Sequence, residues 1–362
     1  MEPIPIIYWT SWFDMDQWQD YTIDKCNLPY TCQMTHDRTK RVDSSVVIFH
    51  ASDLDKMTSL PPLDKDRAWV YHTAEAPHYT PKEFHLMQYS MTYRLDSDFP
   101  WGYLDEDTLL PVMESPLASA PAAPIEKEKG ASVAWIVSNC KASNDRHHYV
   151  KELSRWINVD IYGHCNNNKV FPANVSTVEL VSRYHFYLSF ENSNCKDYVT
   201  EKLSTAYLAG VVPVVDGPSD YGPFIPNTHA VIRTDDFDSP RALADYLNTL
   251  MHNKTLYNQY LSFRQPHGVS DRFKKTLKAY KKGQCDLCTL AYERHNDMTS
   301  YSPGKKIYLD NTCVLHKHFN YKRWDVLSTY FLVFLAALVI LFYLIKLYKT
   351  SRRTKTARSS VN

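Results

Sequence analysis

The chain has 362 residues, with 41 Lys plus Arg against 40 Asp plus Glu and a formal net charge of +1. That length allows two ordinary domains and a tail, and the near-neutral balance excludes a general affinity for nucleic acid or acidic surfaces. Aromatic residues make up 14% of the sequence, which suits carbohydrate faces and ordinary cores alike.

From the amino end, Ile6-Ile7-Tyr8-Trp9 reads as a first strand, and Cys26 and Cys32 bracket a loop. Val46 to His50 and Trp69 to His72 are apolar runs of strand length. Pro77 disfavours helix at Ala76, so Glu75 lies where a strand breaks into loop, a common place for a working side chain. Asp96-Ser97-Asp98 has the spacing of a motif that holds a divalent ion against a diphosphate. Asp53-Leu54-Asp55 is a weaker instance and reads as a solvated loop. Pro111 to Gly130, rich in Pro, Ala and Ser, has the composition of a linker. Val133 to Asn139 is a buried strand ending in polar Ser138 and Asn139, followed by a helix over Asp145 to Trp156 and a strand over Val159 to Gly163. Arg146 sits near the start of that helix, and His147 and His148 read as surface residues.

Tyr184 to Pro218 is the most informative stretch. His185 to Phe190 is a buried strand, Thr200 can cap a helix opening with Glu201 and Lys202, Gly210 can end it, and Val211 to Val215 is a second strand. Such a βαβ unit places a helix N-terminus beside a loop at the carboxyl end of a parallel sheet, where its N–H groups suit an anion. Lys202 in the first turn is unfavourable unless an anion meets it, and Glu201 can bond sugar hydroxyls, so a phosphorylated sugar would satisfy both.

Ser239-Pro240 caps a helix over Arg241 to Leu250, and Asp271 to Lys282 is a basic helical stretch with a solvated face. Eight cysteines suit an oxidising compartment, and only Cys285-x-x-Cys288 has zinc-ligand or redox spacing. Sequons at Asn174 and Asn253 permit N-glycosylation in a lumenal domain. Tyr301 to Lys322 lacks periodicity and reads as a stem. Val326 to Ile345 is nearly all apolar and just long enough to span a bilayer. Lys346, Lys349, Arg352, Arg353, Lys355 and Arg358 follow it, and outnumber Lys317, Lys322 and Arg323 before it, which puts the tail in the cytosol and the large domain in the lumen.

Phe190-Glu191-Asn192-Ser193, Asp197-Tyr198-Val199-Thr200-Glu201-Lys202 and Leu208 to Val215 together resemble the donor-binding signature of the α1,3-fucosyltransferases, glycosyltransferase family 10. Cys32 to Arg38, Glu75-Ala76-Pro77-His78 and Tyr89 to Tyr103 resemble acceptor-domain elements of the same family, with Ala76 in place of the usual serine. The resemblance covers roughly Cys32 to Cys288 and implies an α/β fold of GT-B architecture, two Rossmann-like domains facing a cleft. The expected plan is an acceptor-binding domain over 1–110, a linker over 111–130 and a GDP-fucose-binding domain over 131–300. A stem over 301–325, a transmembrane helix over 326–345 and a basic tail over 346–362 complete it.

The resemblance further implies roles. Glu75 takes the proton from an acceptor hydroxyl in an inverting transfer of fucose from GDP-fucose to a GlcNAc residue of a glycoprotein or glycolipid glycan. Arg146 and Lys202 stabilise the diphosphate; Glu201, Asn192, Ser193 and Tyr198 hold fucose and nucleotide, and Ser138 and Asn139 line the same pocket. No metal is required, Mn2+ being at most a stimulant, and Asp96-Ser97-Asp98 falls in an acceptor-domain element far from the donor unit. Paired cysteines such as Cys285 and Cys288 are bridged to the amino-terminal domain in the family, which makes Cys26 and Cys32 the candidate partners; a zinc or redox pair is the rival. A single-pass Golgi membrane protein follows, although the family's usual amino-terminal anchor has no counterpart in Met1 to Trp12; the anchor is then carboxyl-terminal, or the true start lies upstream. The alternatives are a catalytically inactive GDP-sugar-binding or lectin-like membrane protein, or an enzyme acting on N-glycan cores or protein O-linked glycans.

Overall fold

A computed structural model describes residues 2–13, 20–54, 67–79, 87–114, 132–296, 312–314 and 330–346. Most of the expected linker, the first residues of the expected membrane segment and the basic tail beyond Lys346 lie outside these residues.

Seven strands build the first sheet: β1 (Ile4–Tyr8), β2 (Tyr21–Ile23), β3 (Cys32–Thr35), β4 (Val46–His50), β5 (Ala68–Thr73), β6 (Tyr89–Thr92) and β7 (Phe99–Pro100), in the order β2-β3-β1-β4-β5-β6-β7. All pairs are parallel except β2 with β3. Every residue of β4 and β5 is buried, as parallel strands covered on both faces require. After β4 the short helix α1 (Ala51–Leu54) carries Asp53, which corrects the solvated-loop reading: its buried carboxylate pairs with His50 Nδ1 at 2.6 Å and accepts the Phe13 N–H at 2.8 Å.

The second sheet comprises β8 (Val133–Val137), β9 (Val159–Gly163), β10 (Phe186–Phe190), β12 (Val212–Asp216) and β13 (Ile232–Arg233), all parallel, in the order β13-β12-β10-β8-β9. Between β10 and β12 the chain forms β11 (Asn194–Cys195), which pairs antiparallel with β14 (Cys313–Val314). Residues Cys313 and Val314 of the expected stem are therefore part of the folded unit. Helices α3 (Arg146–Leu153), α4 (Thr177–Ser182), α5 (Glu201–Ala209), α6 (Pro240–His252) and α7 (Lys254–Gln259) connect the second half. Gly210 closes α5 at φ 69°, the left-handed conformation that glycine adopts without steric cost.

Two helices cross the expected domain boundaries. Helix α2 (Glu106–Glu114) runs through Pro111 into the expected linker, because Leu109 and Met113 bury against Leu203, Tyr207 and Phe273 of the second half. Helix α8 (Asp271–His295) is far longer than the 271–282 stretch read from sequence, and its end leaves the second half to join the first. There Leu287, Cys288, Leu290 and Ala291 pack with Ile6, Ile48 and Val70. Gly283 permits the crossing: a Cβ there would lie 2.1 Å from the Pro100 carbonyl oxygen of β7. Disulfides Cys26–Cys285 and Cys32–Cys288 pin it, which removes the zinc or redox alternative for that pair. Cys140–Cys165 and Cys195–Cys313 use the remaining cysteines.

The last described segment, 330–346, is helical, and its large apolar side chains from Tyr330 to Ile345 are exposed. Among the described residues no helix is long and apolar enough to cross a membrane.

Candidate active site

Parallel sheets present their loops at the carboxyl ends of the strands, and a ligand crevice forms where the strand order reverses. In the second sheet that reversal lies between β8 and β10. The β8 loop supplies Ser138 and Asn139, α3 supplies Arg146, the β10 loop supplies Asn192, Ser193 and Tyr198, and α5 opens with Glu201 and Lys202. Glu75 follows β5 of the first sheet and meets this group: the Tyr198 hydroxyl donates to Glu75 Oε2 at 3.2 Å. Two further bonds join the same loops, Ser193 Oγ to His78 Nε2 at 2.8 Å and Asn139 Nδ2 to the Tyr79 hydroxyl at 3.1 Å.

Glu75 is half-buried and stays accessible. Burial, the dominant effect, pushes its carboxyl above the ordinary glutamate range, while the Tyr198 hydrogen bond and the charge of Lys202 pull it back. A half-buried carboxylate of raised basicity beside a cation is suited to accept a proton.

The head of α5 differs from the sequence reading. Thr200 makes no side-chain cap. Its N–H and hydroxyl both donate at 2.8 Å to Glu191, whose carboxylate is almost fully buried. Lys202 Nζ lies 3.2 Å from Glu191 Oε2, 2.6 Å from Thr200 Oγ1 and 3.2 Å from Glu201 Oε1. The anion that meets the first-turn lysine is thus supplied by the chain. Burial lowers the Lys202 pKa, but Glu191 and Glu201 outweigh it and hold the ammonium above the ordinary lysine range, while burial, the largest effect, raises the Glu191 carboxyl against the pull of Lys202. Glu201 itself is exposed.

Arg146 is buried rather than open. It donates to the Phe190 carbonyl at 2.6 Å and the Asn139 carbonyl at 3.3 Å, and lies over the Trp135 ring. Its Nε has no hydrogen-bond partner among the described residues, an orphaned donor within the site. His147, read as a surface residue, is half-buried with Nε2 2.9 Å from the Asn139 carbonyl. Ser138 is exposed at the end of β8, and Asn192 Oδ1 accepts from Ser193 Oγ at 2.9 Å. Sequence reasoning missed Glu191 and the buried amides behind it. Asn144 donates to the Glu191 carbonyl and to Asn194 Oδ1, and Asn194 donates to Asp216. Glu191 was visible within the motif, but nothing in the spacing separates a ligand-facing carboxylate from one turned inward.

Asp96 is bound to Arg94 and Lys196, so the motif meets the donor-signature loop rather than lying far from it as expected, and Asp98 accepts from Ser90. His78, Cys195 and Cys313 bring three ligand-type atoms within 4.8 Å of one another, but both sulfurs are spent in the disulfide. A cavity of about 300 Å³ lined by Tyr21, Trp101, Tyr280 and Lys281 contains none of the residues assigned above. Asn174 and Asn253 are exposed and remote in sequence from the site loops; the Asn253 side chain caps α7.

Two family models match the chain: "Fucosyltransferase, N-terminal" over residues 2–104 and "Glycosyltransferase family 10 (fucosyltransferase) C-term" over residues 126–306. The chain belongs to glycosyltransferase family 10. It is 36% identical over 265 residues to 4-galactosyl-N-acetylglucosaminide 3-alpha-L-fucosyltransferase 9 of Rattus norvegicus and of Homo sapiens, covering 70% of each chain. Alpha-(1,3)-fucosyltransferase 4 of Bos taurus is 37% identical over 227 residues, 60% of this chain and 55% of that one. A crystal structure of an alpha1,3-fucosyltransferase with GDP matches at TM-score 0.55 and 17% identity, covering 80% of this chain and 91% of the other, which establishes the shared fold. In this family 10 glycosyltransferase the two α/β halves and their parallel sheets are therefore the GT-B arrangement.

Proposed function

We propose that this family 10 enzyme is an inverting α1,3-fucosyltransferase that moves fucose from GDP-fucose to a GlcNAc residue of a galactosyl-GlcNAc acceptor. The transferred fucose and the α1,3 linkage are those in the names of the relatives at 36–37% identity, the galactosyl-GlcNAc acceptor class is that in the name of the first of them, and GDP is the ligand in the fucosyltransferase crystal structure that shares the fold. The observation that carries the reading is the bond between Glu75 and Tyr198, which joins the loop after β5 to the donor-signature loop within reach of the charge of Lys202.

On this reading Glu75 removes the proton from the GlcNAc 3-OH as that oxygen attacks the anomeric carbon from the face opposite GDP. Charge growing on the departing diphosphate is met by Lys202 and by the field of Arg146, whose carbonyl partners hold it in place. Glu201, Asn192, Ser193 and Tyr198 contact fucose and nucleotide, and Ser138 and Asn139 border the same pocket. The oxocarbenium character of such a transition state gains from the nearby carboxylates. No step in this scheme needs a metal; Mn2+ would act as a stimulant.

The exposed apolar helix 330–346, with the apolar residues before it and the basic residues after it in sequence, supports a carboxyl-terminal membrane anchor with the catalytic unit in the Golgi lumen. Four disulfides support an oxidising compartment, and exposure of Asn174 and Asn253 leaves both sequons open to glycosylation. The deciding experiment incubates the purified chain with GDP-fucose and a panel of neutral lactosamine, N-glycan core and O-linked acceptors, and determines the linkage of the product. Transfer to position 3 of GlcNAc that vanishes in Glu75→Gln, with GDP binding retained, supports the reading. Absence of transfer to every acceptor refutes it in favour of a GDP-sugar-binding protein.

A further inference from the structure

Residues 312–314 lie beyond the family match, which ends at 306, yet they return to the reaction centre. Cys313 pairs with Cys195 in the β11–β14 ladder and forms a disulfide with it, and the Lys196 N–H donates to the Thr312 carbonyl at 2.9 Å. Strand β11 lies in the loop that carries Ser193 and Tyr198. The bridge is packed in a small apolar cluster with Ala76, Tyr93 and Tyr198, and Tyr79 lies against it. Ala76 directly follows Glu75, and Tyr198 is the donor to Glu75. Between bridge and tyrosine, Asp197 turns the chain at φ 63°, a left-handed conformation that Asp adopts more readily than most residues. The Leu95 N–H at 3.3 Å and Arg94 at 3.8 Å face its carboxylate.

Resting on the assignment of Glu75 as base, we propose that the Cys195–Cys313 bridge is a positioning element of the reaction. It clamps Tyr198 against the Glu75 carboxylate, so that the segment leading toward the apolar helix completes the reaction centre. A bridge serving stability alone would have no need to share a cluster with the residue after the base and with the base's hydrogen-bond donor.

The groups facing Glu75 are Tyr198, Lys202 and Glu201 from the second half and Tyr93 and Tyr103 from its own. Only Tyr198 is tied to the bridge by packing and also bonds the carboxylate. Losing that donor disfavours the carboxylate form and moves the acid limb of the rate profile upward. The test uses the full chain carrying Cys195→Ser with Cys313→Ser, and separately Cys195→Val with Cys313→Ala, which keeps apolar packing while removing the bond. Measured are kcat, KM for GDP-fucose and for acceptor, and the pH dependence of kcat/KM, beside Tyr198→Phe and the triple variants.

Expected are a fall in kcat of at least about ten-fold with a small change in acceptor KM, an acid limb displaced to higher pH as in Tyr198→Phe, and no further displacement when Tyr198→Phe is added. An unmoved acid limb in the folded double variants, or additive displacement in the triple ones, overturns the proposal and leaves the bridge a staple. If the serine pair fails to fold, the valine–alanine pair decides by the same limb. Transfer that persists in Glu75→Gln, or is absent from the unmodified chain, sinks the base assignment and this inference with it. Glu75-dependent transfer with an unmoved limb sinks this inference alone.

Discussion

Lys202→Met removes an ammonium and little volume, and so separates two roles of Lys202. The first is structural: Lys202, with its side chain 18% exposed, partners a Glu191 carboxylate that is 1% exposed. Deleting one member of a buried pair costs about 3–5 kcal/mol. Glu191 keeps both bonds from Thr200, so the lower end applies, about 3 kcal/mol or roughly 4–5 °C in Tm for a chain of this size. Without the lysine, burial acts on Glu191 against the Thr200 bonds alone and raises its carboxyl further. A raised carboxylate contributes stability below its folded pKa that is lost as pH rises through it, so the variant is least destabilised in acid and most at neutral pH. The second role is at the ligand: one charge-assisted contact to the diphosphate is worth about 1.5–3 kcal/mol, a roughly 10- to 150-fold weaker Kd for GDP. Adding Glu191→Gln removes the stranded charge. The double variant should regain most of the thermal stability while GDP affinity, followed by calorimetric titration, stays low. Recovery of both together would show that Lys202 acts only through Glu191, and a single variant with native GDP affinity would refute the diphosphate contact altogether.

Three further outcomes follow from the same geometry. Because burial raises the Glu75 carboxyl, kcat/KM should fall on acidification with a midpoint above that of an ordinary glutamate; a limb at or below the ordinary value would mean that another group limits the rate. Cys26–Cys285 and Cys32–Cys288 close nearly the same loop, with sequence separations of 259 and 256. Removing one should therefore cost only about 2–3 kcal/mol and removing both about 8 kcal/mol in the chain-entropy account; additive, equal losses in denaturant titrations would contradict this. Gly283→Ala places a methyl group against the Pro100 carbonyl and should lower stability by about 1–3 kcal/mol while leaving GDP affinity of the folded protein unchanged, as read by denaturant titration and ligand binding.

The sequence alone determined what is local. The apolar runs of β4, β5, β10 and β12, the Gly210 stop and the Ser239-Pro240 start are written in consecutive residues, because strand and helix signals act over a few positions. The motif at 190–202 pointed to a nucleotide-sugar site because its residues are neighbours in the chain. Tertiary structure decided everything that depends on which face a side chain takes. It turned Glu191 inward to partner Lys202, drew Pro111 into a helix through the burial of Leu109 and Met113, and carried α8 across to the first sheet. It also brought Cys313 back to Cys195 across 118 residues. Long-range pairings of this kind are set by the summed burial and packing of distant segments, and composition at either end carries no record of its partner.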